Sequence, residues 1–183
     1  MSNQRKILVL DLDETCIKSK ISSSLASCKA HKPECEHERI HFEMQGKHVC
    51  TFVRPFLHKF LRKIQKKNVE LWVWSMGERE YVLKIVELVF EPKFVPKVVM
   101  WREHCTYCME STNMLKNLEW LKRIVNLRNA NIVLVDDLKE NCQQVNAICV
   151  KPFELQDSVR DVALLSLLRS IFVQLDVYSY KQK

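Results

Sequence analysis

Only two glycines, Gly46 and Gly77, occur among the 183 residues. The chain therefore has neither the glycine-rich loop of a P-loop nucleotide-binding protein nor the G-x-G-x-x-G turn of a dinucleotide fold. Any phosphate it handles must be held by another device. Long apolar runs are missing too, and no stretch reaches the roughly 18 residues that would span a bilayer. A strand-like segment begins at Lys6, which leaves no room for a signal peptide. The expectation is an intracellular protein with no membrane partner, nuclear or cytoplasmic location being left open. Cysteine is not scarce: there are eight. Without a secretory signal they are expected as reduced thiols or metal ligands rather than a disulfide framework, and Cys50, Cys142 and Cys149 fall inside predicted elements.

With 47% hydrophobic and 28% charged residues, the chain has the composition of a globular protein and the length for one core, a single domain over 1–183. The net charge of +7 suggests an acidic partner, a phosphopeptide or a nucleic acid, without choosing between them.

Apolar patterning gives the architecture. Lys6–Asp13, Val69–Ser75 and Asn131–Asp137 are continuous apolar runs that predict buried parallel strands. Between them lie helical patterns: one after Pro55 with Phe56, Leu57, Phe60, Leu61 and Ile64 on a face, one over REYVLKIVELVF, and one over LKNLEWLKRIV. AICVKPF predicts a further strand and VRDVALLSLLRSIFVQL a closing helix. Residues 17–38 are polar and predict a loop, and Gln45-Gly46 predicts the turn of a hairpin flanked by RIHFEM and KHVCTFV. The alternation predicts an α/β fold, a Rossmann-like doubly wound parallel sheet with a small β-hairpin insertion and no large cap.

In such sheets ligands sit at the carboxyl ends of the strands. Two acidic pairs, Asp11/Asp13 and Asp136/Asp137, fall there together with Ser75. A carboxylate can attack phosphorus and form an acyl phosphate, and a second carboxylate can protonate the leaving oxygen and then activate water. Residues two apart in a strand share a face, which is the Asp11/Asp13 spacing. A carboxylate repels a phosphate dianion, so a hard cation is needed between them; Asp11 with Asp136 or Asp137 would suit Mg2+. One acidic pair at a strand end is ordinarily a solvated terminus; two pairs, each closing a strongly apolar strand, favour chemistry.

The D-L-D-E-T sequence at Asp11–Thr15, preceded by ILVL, resembles the signature of the haloacid dehalogenase superfamily, specifically its RNA polymerase II C-terminal-domain phosphatase branch. Val53–Pro55, ELWVWS with Ser75, WREHC with Arg102, LKNL with Lys116, and VLVDD follow in the family's order, so the resemblance covers roughly Arg5 to Val173. It implies Asp11 as nucleophile and magnesium ligand. Asp13 would be the general acid/base and ligate metal through its carbonyl, and Ser75 would hydrogen-bond the phosphoryl group. Lys116 would neutralise charge, and Asp136 and Asp137 would bind metal. Thr15 supports the active-site loop and stands with Arg102 in the substrate-binding set. Cys16 replaces an aliphatic residue and Ser75 the commoner threonine; neither change removes required chemistry.

The implied activity is magnesium-dependent dephosphorylation of phosphoserine or phosphothreonine in a protein, with the polymerase tail as one candidate. A groove between the Ile40–Val53 hairpin and the Lys97–Asn113 segment is the expected substrate site, with Ile40 and Phe42 as candidate apolar contacts. The rivals are a nucleotide-type small-molecule phosphatase on the same core and a non-catalytic docking module. Cys28, His31, Cys35 and His37, with Cys105 and Cys108, have spacings that zinc could use, but the expectation is a plain loop. The basic face Lys59–Lys67 is read as solvated helix rather than a nucleic-acid interface. Oligomeric state is not fixed by the sequence.

Overall fold

The computed structural model describes residues 4–26, 38–107, 114–127, 129–156 and 160–176. Five strands form a parallel sheet in the order β10-β9-β1-β5-β6. They are β1 (Arg5–Leu10), β5 (Glu70–Trp74), β6 (Val98–Met100), β9 (Ala130–Asp136) and β10 (Ala147–Cys149). The sheet is buried on both faces, and the two-residue period divides its side chains cleanly. Leu8, Leu10, Val73, Val133 and Val135 point into one core; Ile7, Val9, Trp72, Trp74, Ile132 and Leu134 point into the other.

The first core is closed by α1 (Leu57–Gln65), α2 (Arg79–Ile85) and α5 (Ala163–Gln174). Each gives an apolar stripe: Leu57, Phe60, Leu61 and Ile64 from α1, Tyr81, Val82 and Ile85 from α2, and Leu164, Ile171 and Phe172 from α5. Past Ile85, α2 widens into one π turn over Val86–Phe90, just before Pro92. The second core is closed by α3 (Leu118–Ile124), through Leu118 and Leu121. A short α4 (Lys139–Cys142) follows β9. Among the described residues no helix is long and apolar enough to cross a membrane, and the five cysteines found there are free thiols.

An antiparallel sheet is inserted after β1. It comprises β2 (Ile17–Ser22), β3 (Arg39–Met44) and β4 (Lys47–Val53), in the order β2-β4-β3. The β3–β4 turn has positive φ at both Gln45 (51°) and Gly46 (69°), the requirement of a type I′ hairpin. The insertion is thus larger than the expected hairpin. The run IKSKIS, assigned to a loop from its polarity, is a strand paired along its whole length with Val53 through His48. Its lysines and serines are accommodated because β2 is the edge of a sheet with one face toward solvent. A two-stranded ribbon, β7 (Thr106–Tyr107) with β8 (Met114–Leu115), completes the described strands, and a 3-10 turn over Arg102–His104 precedes it. The candidate zinc ligands Cys28, His31, Cys35 and His37, and Cys108, lie outside the described residues.

Candidate active site

The central strands β9, β1 and β5 are neighbours and parallel, so their carboxyl ends open on one edge. Regular pairing of β1 stops at Leu10, and Asp11 extends the ladder by one bond, its N–H donating to Val135 O at 3.0 Å. Asp13 lies in the following loop rather than in the strand, and Glu14 beside it has a positive φ of 57°. A non-glycine residue in this region stores backbone strain, which the surroundings must hold. Asp136 is the last residue of β9, and Ser75 follows β5 directly, its N–H donating to Met100 O at 3.0 Å. Lys116 is not on a helix, as its sequence pattern suggested. The helix is capped by Asn117, which accepts from the Trp120 N–H, and Lys116 enters from the preceding segment.

These groups assemble in two halves. In the first, the Lys116 ammonium is 1% exposed, donates to the Asp11 carboxylate and reaches Asp136 Oδ2 at 2.7 Å. Burial alone would lower its pKa, but Asp11 and Asp136 more than offset that and hold it above the ordinary lysine value. For Asp11, burial dominates in the opposite sense. It pushes the carboxyl well above its usual range, Lys116 opposes the rise, and Asp136 and Asp13 add to it. The Asn141 side chain donates from Nδ2 to Asp136 Oδ2 at 3.1 Å and accepts the Lys116 N–H at Oδ1, also at 3.1 Å, fixing lysine and carboxylate to one bracket.

Asp137 accepts from the Thr15 hydroxyl at 3.2 Å, and burial raises its pKa. Carboxylate oxygens of Asp11, Asp136 and Asp137 lie within 4.8 Å of one another. Three converging carboxylates, two of them buried, with a single buried lysine between them, leave excess negative charge, which suits a hard cation with oxygen ligands.

The second half surrounds Asp13. Tyr81 donates to Asp13 Oδ1 at 2.5 Å, and Ser75 donates more weakly to Oδ2 at 3.4 Å while accepting the Gly77 N–H at 2.9 Å. Burial raises the Asp13 pKa, against the lowering effect of the Tyr81 bond. Burial together with the Asp13 charge pushes the Tyr81 phenol far up, so it keeps its proton and can donate it to Asp13.

Asp13 opens on a cleft of about 360 Å³ whose apolar wall is Ile21, Met44 and Val49 and whose polar rim includes Arg102. The expected apolar contacts Ile40 and Phe42 do not line it. Phe42 belongs to the core, and Ile40 packs against that core. Arg102 is half exposed; its Nε donates to Met76 O at 3.0 Å, and its side chain also borders a second cavity of about 500 Å³ with Met76, Met114 and Leu138. Thr15 is fully buried and faces Asp137, not the cleft.

The structure thus brings Asp11, Asp13, Ser75, Lys116, Asp136 and Asp137 to one edge, with Arg102 at the rim. Three further participants escaped sequence reading. Tyr81 has the signature of a core residue on an amphipathic helix, and Asn141 sits in a helix too short to leave a pattern. Arg54 stands inside the Val53–Pro55 motif with no role assigned to it, yet it is 1% exposed and donates to Thr15 O at 3.0 Å, Lys151 O at 2.8 Å and Asp161 Oδ2 at 2.9 Å.

The profile of the NLI interacting factor-like phosphatases matches residues 6–179. The chain belongs to that family. It is 25% identical over 185 residues to a CTD phosphatase-like protein, 355R, of Invertebrate iridescent virus 3, covering 93% of this chain and 97% of that one. It is 28% identical over 152 residues to an RNA polymerase II C-terminal domain phosphatase of Encephalitozoon cuniculi, covering 80% of this chain but 32% of that protein. A third relative, RNA polymerase II C-terminal domain phosphatase-like 4 of Arabidopsis thaliana, is 30% identical over 109 residues, which are 51% of this chain and 23% of the plant protein. Among solved structures, Fcp1, an essential RNA polymerase II CTD phosphatase, superposes with a TM-score of 0.58 at 21% identity, covering 82% of this chain and 42% of that one. A beryllium fluoride-bound variant of fission yeast Fcp1 gives 0.57 at 20% identity, with 94% and 51% covered. This family member shares the α/β fold of those phosphatases, and it spans about half or less of the Fcp1 chains.

Proposed function

We propose that this family member is a magnesium-dependent phosphoserine/phosphothreonine protein phosphatase that works through a phospho-aspartyl intermediate. The observation that carries the reading is the buried Lys116 ammonium between Asp11 and Asp136, with Asp13 held separately beside an open cleft. A cluster of three converging carboxylates offset by one buried lysine is costly, and such an arrangement persists where charge has a use.

In this mechanism an Asp11 oxygen attacks phosphorus as the bond from phosphorus to the serine oxygen breaks, and Asp13 gives its proton to that oxygen. Asp13 then takes a proton from water, whose oxygen attacks the same phosphorus and releases Asp11 and inorganic phosphate. Lys116 offsets the charge of Asp11 and of the phosphoryl oxygens, and the Ser75 hydroxyl orients that group. Asp11, Asp136 and Asp137 would hold the magnesium ion, with the Asp13 carbonyl. Bound there, magnesium supplies the positive charge that lets a carboxylate approach a phosphate dianion. Asp137→Ala is expected to weaken magnesium binding by at least about tenfold in calorimetric titration, since one of three anionic ligands is lost. An unchanged affinity would remove Asp137 from the metal site.

Substrate class follows from the cleft. It is open and apolar on one wall, with Lys47 and Arg102 on its rim and Glu78 4.0 Å from the Arg102 guanidinium, which fits an extended chain carrying a phosphate better than an enclosed metabolite. Serine-proline phosphopeptides of the RNA polymerase II tail type are therefore the favoured substrates, and the +7 charge aids their encounter. We expect kcat/KM for such peptides to exceed that for nucleotides and sugar phosphates, and Arg102→Ala to reduce peptide turnover more than aryl phosphate turnover. Equal or better turnover of nucleotides would overturn the protein-phosphatase reading and leave the aspartyl chemistry standing.

A further inference from the structure

We infer that the Tyr81 hydroxyl is the positioning group for Asp13, and that it heads a relay of three hydroxyls, Thr51, Ser19 and Tyr81, that fixes which Asp13 oxygen exchanges a proton. The inference rests on the role of Asp13 given above and goes beyond it.

The two oxygens of Asp13 are held unequally. Oδ1 accepts a 2.5 Å bond from Tyr81, whereas Oδ2 has only the 3.4 Å contact with Ser75. Tyr81 Oη also lies 2.7 Å from Ser19 Oγ, and Ser19 Oγ lies 2.7 Å from Thr51 Oγ1. Each hydroxyl has one proton to give. With the phenol proton on Asp13, Ser19 must donate to Tyr81 and Thr51 to Ser19. All three protons then point toward the carboxylate, and each bond polarises the next.

The relay runs from fully buried Thr51 in β4, through Ser19 in β2, to Tyr81 in α2, and so ties the inserted sheet to the loop after β1. The ring cannot drift. Tyr81 is 8% exposed, and a Cβ on Gly77 would lie 2.9 Å from its Cδ1, so one of the two glycines is spent where the ring closes on the backbone.

Engagement of Oδ1 leaves Oδ2, on the Ser75 side, as the oxygen that works. The Oδ2 proton passes to the leaving oxygen as the bond from that oxygen to phosphorus breaks. The same atom later takes a proton from the attacking water as the bond between phosphorus and Asp11 breaks. Without the Tyr81 hydroxyl, Asp13 can turn, and proton delivery suffers while Asp11 and Lys116 remain in place.

Tyr81 also lines the cleft, so a loss of activity alone would not separate positioning from wall-building. Tyr81→Phe keeps the ring and removes only the hydroxyl. A series of similarly sized aryl phosphates, from dinitrophenyl to unsubstituted phenyl, then isolates proton donation, because a good leaving group needs no acid and a poor one does. We expect kcat/KM of Tyr81→Phe to fall by less than about twofold for the dinitrophenyl ester and by about tenfold or more for the phenyl ester, within the range of general acid catalysis. Ser19→Ala should move in the same direction by less, since Tyr81 then loses only its own donor.

A loss that is uniform across the series, or no loss in a variant whose melting curve matches the parent, would overturn the inference. Asp13→Asn, measured beside them, separates the two levels of argument. If its loss steepens with leaving-group basicity while Tyr81→Phe stays flat, Tyr81 is not the positioning group and the mechanism stands. If Asp13→Asn is itself flat, the acid role of Asp13 fails and the Tyr81 inference falls with it.

Discussion

Replacing Asp11 by asparagine is expected to lower kcat by at least about a thousand-fold, because the neutral amide that replaces the carboxylate is a poor nucleophile toward phosphorus. The fold should survive, and the sign of the stability change can be worked out. Burial lifts the Asp11 pKa well above its ordinary value, and the attraction of Lys116 does not cancel it. A carboxyl whose folded pKa exceeds its unfolded one makes the folded state the better proton binder. Stability is then withdrawn as pH rises from about 4 through the raised value. Asparagine cannot ionise and escapes that loss. Lys116 keeps Asp136 as its partner at 2.7 Å. In metal-free buffer near pH 7 the variant should therefore melt at or above the parent temperature, with the difference closing below about pH 4. Thermal melts across pH, paired with a single-turnover phosphate assay, check both halves. A folded variant that still turns over would sink the nucleophile assignment. One that melts lower at pH 7 would show that Lys116 attraction outweighs burial.

Such a trade of stability for reactivity was legible in the sequence only in outline. The strands β1, β5 and β9 were readable because a parallel strand buried on both faces is apolar throughout, and the acidic pairs closing two of them stood out against that background. The hairpin turn was readable because Gln45-Gly46 lies between two alternating runs. What failed to show is what depends on tertiary neighbours. The run IKSKIS has a strand's alternation, but two lysines and two serines made it look solvated, and only its pairing with β4 shows where the polar side chains go.

Lys116 lies next to a helical run, and nothing local marks the boundary except Asn117, an N-cap residue recognisable once the bond to Trp120 is seen. Tyr81 satisfies the apolar stripe of α2 with its ring, and this masks what its hydroxyl does 62 positions away from Ser19. Sequence patterning reports burial of side-chain bodies well and the partners of their polar tips poorly.

Arg54 is the largest instance of that blindness, and its removal is expected to be the most destabilising single change considered. Its guanidinium is among the largest wholly buried side chains, stacked 5.7 Å from the centre of the Phe153 ring. Its fork is shared three ways: Nε to Asp161, Nη1 to the Thr15 carbonyl and Nη2 to the Lys151 carbonyl. Thr15 closes the Asp11–Thr15 loop, while Asp161 accepts the Ala163 N–H at 2.7 Å at the start of α5. One cation thus binds the strained loop that carries both aspartates to the helix that closes the core.

Arg54→Ala would leave the largely covered Asp161 carboxylate, its side chain 10% exposed, without its cation and two carbonyls without donors, a change worth about 3–5 kcal/mol. Against a total stability of about 5–15 kcal/mol, that removes a third or more of the folding free energy in most cases. Arg54→Lys should fall between, since an ammonium can meet Asp161 but cannot span both carbonyls with a planar fork. Asp161→Asn should cost less than either because the amide oxygen can still accept. Urea denaturation at a shared m-value gives the order, and turnover at low temperature, where Arg54→Lys is folded, should be reduced because the Asp13 loop has lost its tether. If Arg54→Ala unfolded within about 1 kcal/mol of the parent, the buried fork would be dispensable, and the strain at Glu14 would have to be held by the Phe153 N–H, which donates to Glu14 O at 2.6 Å.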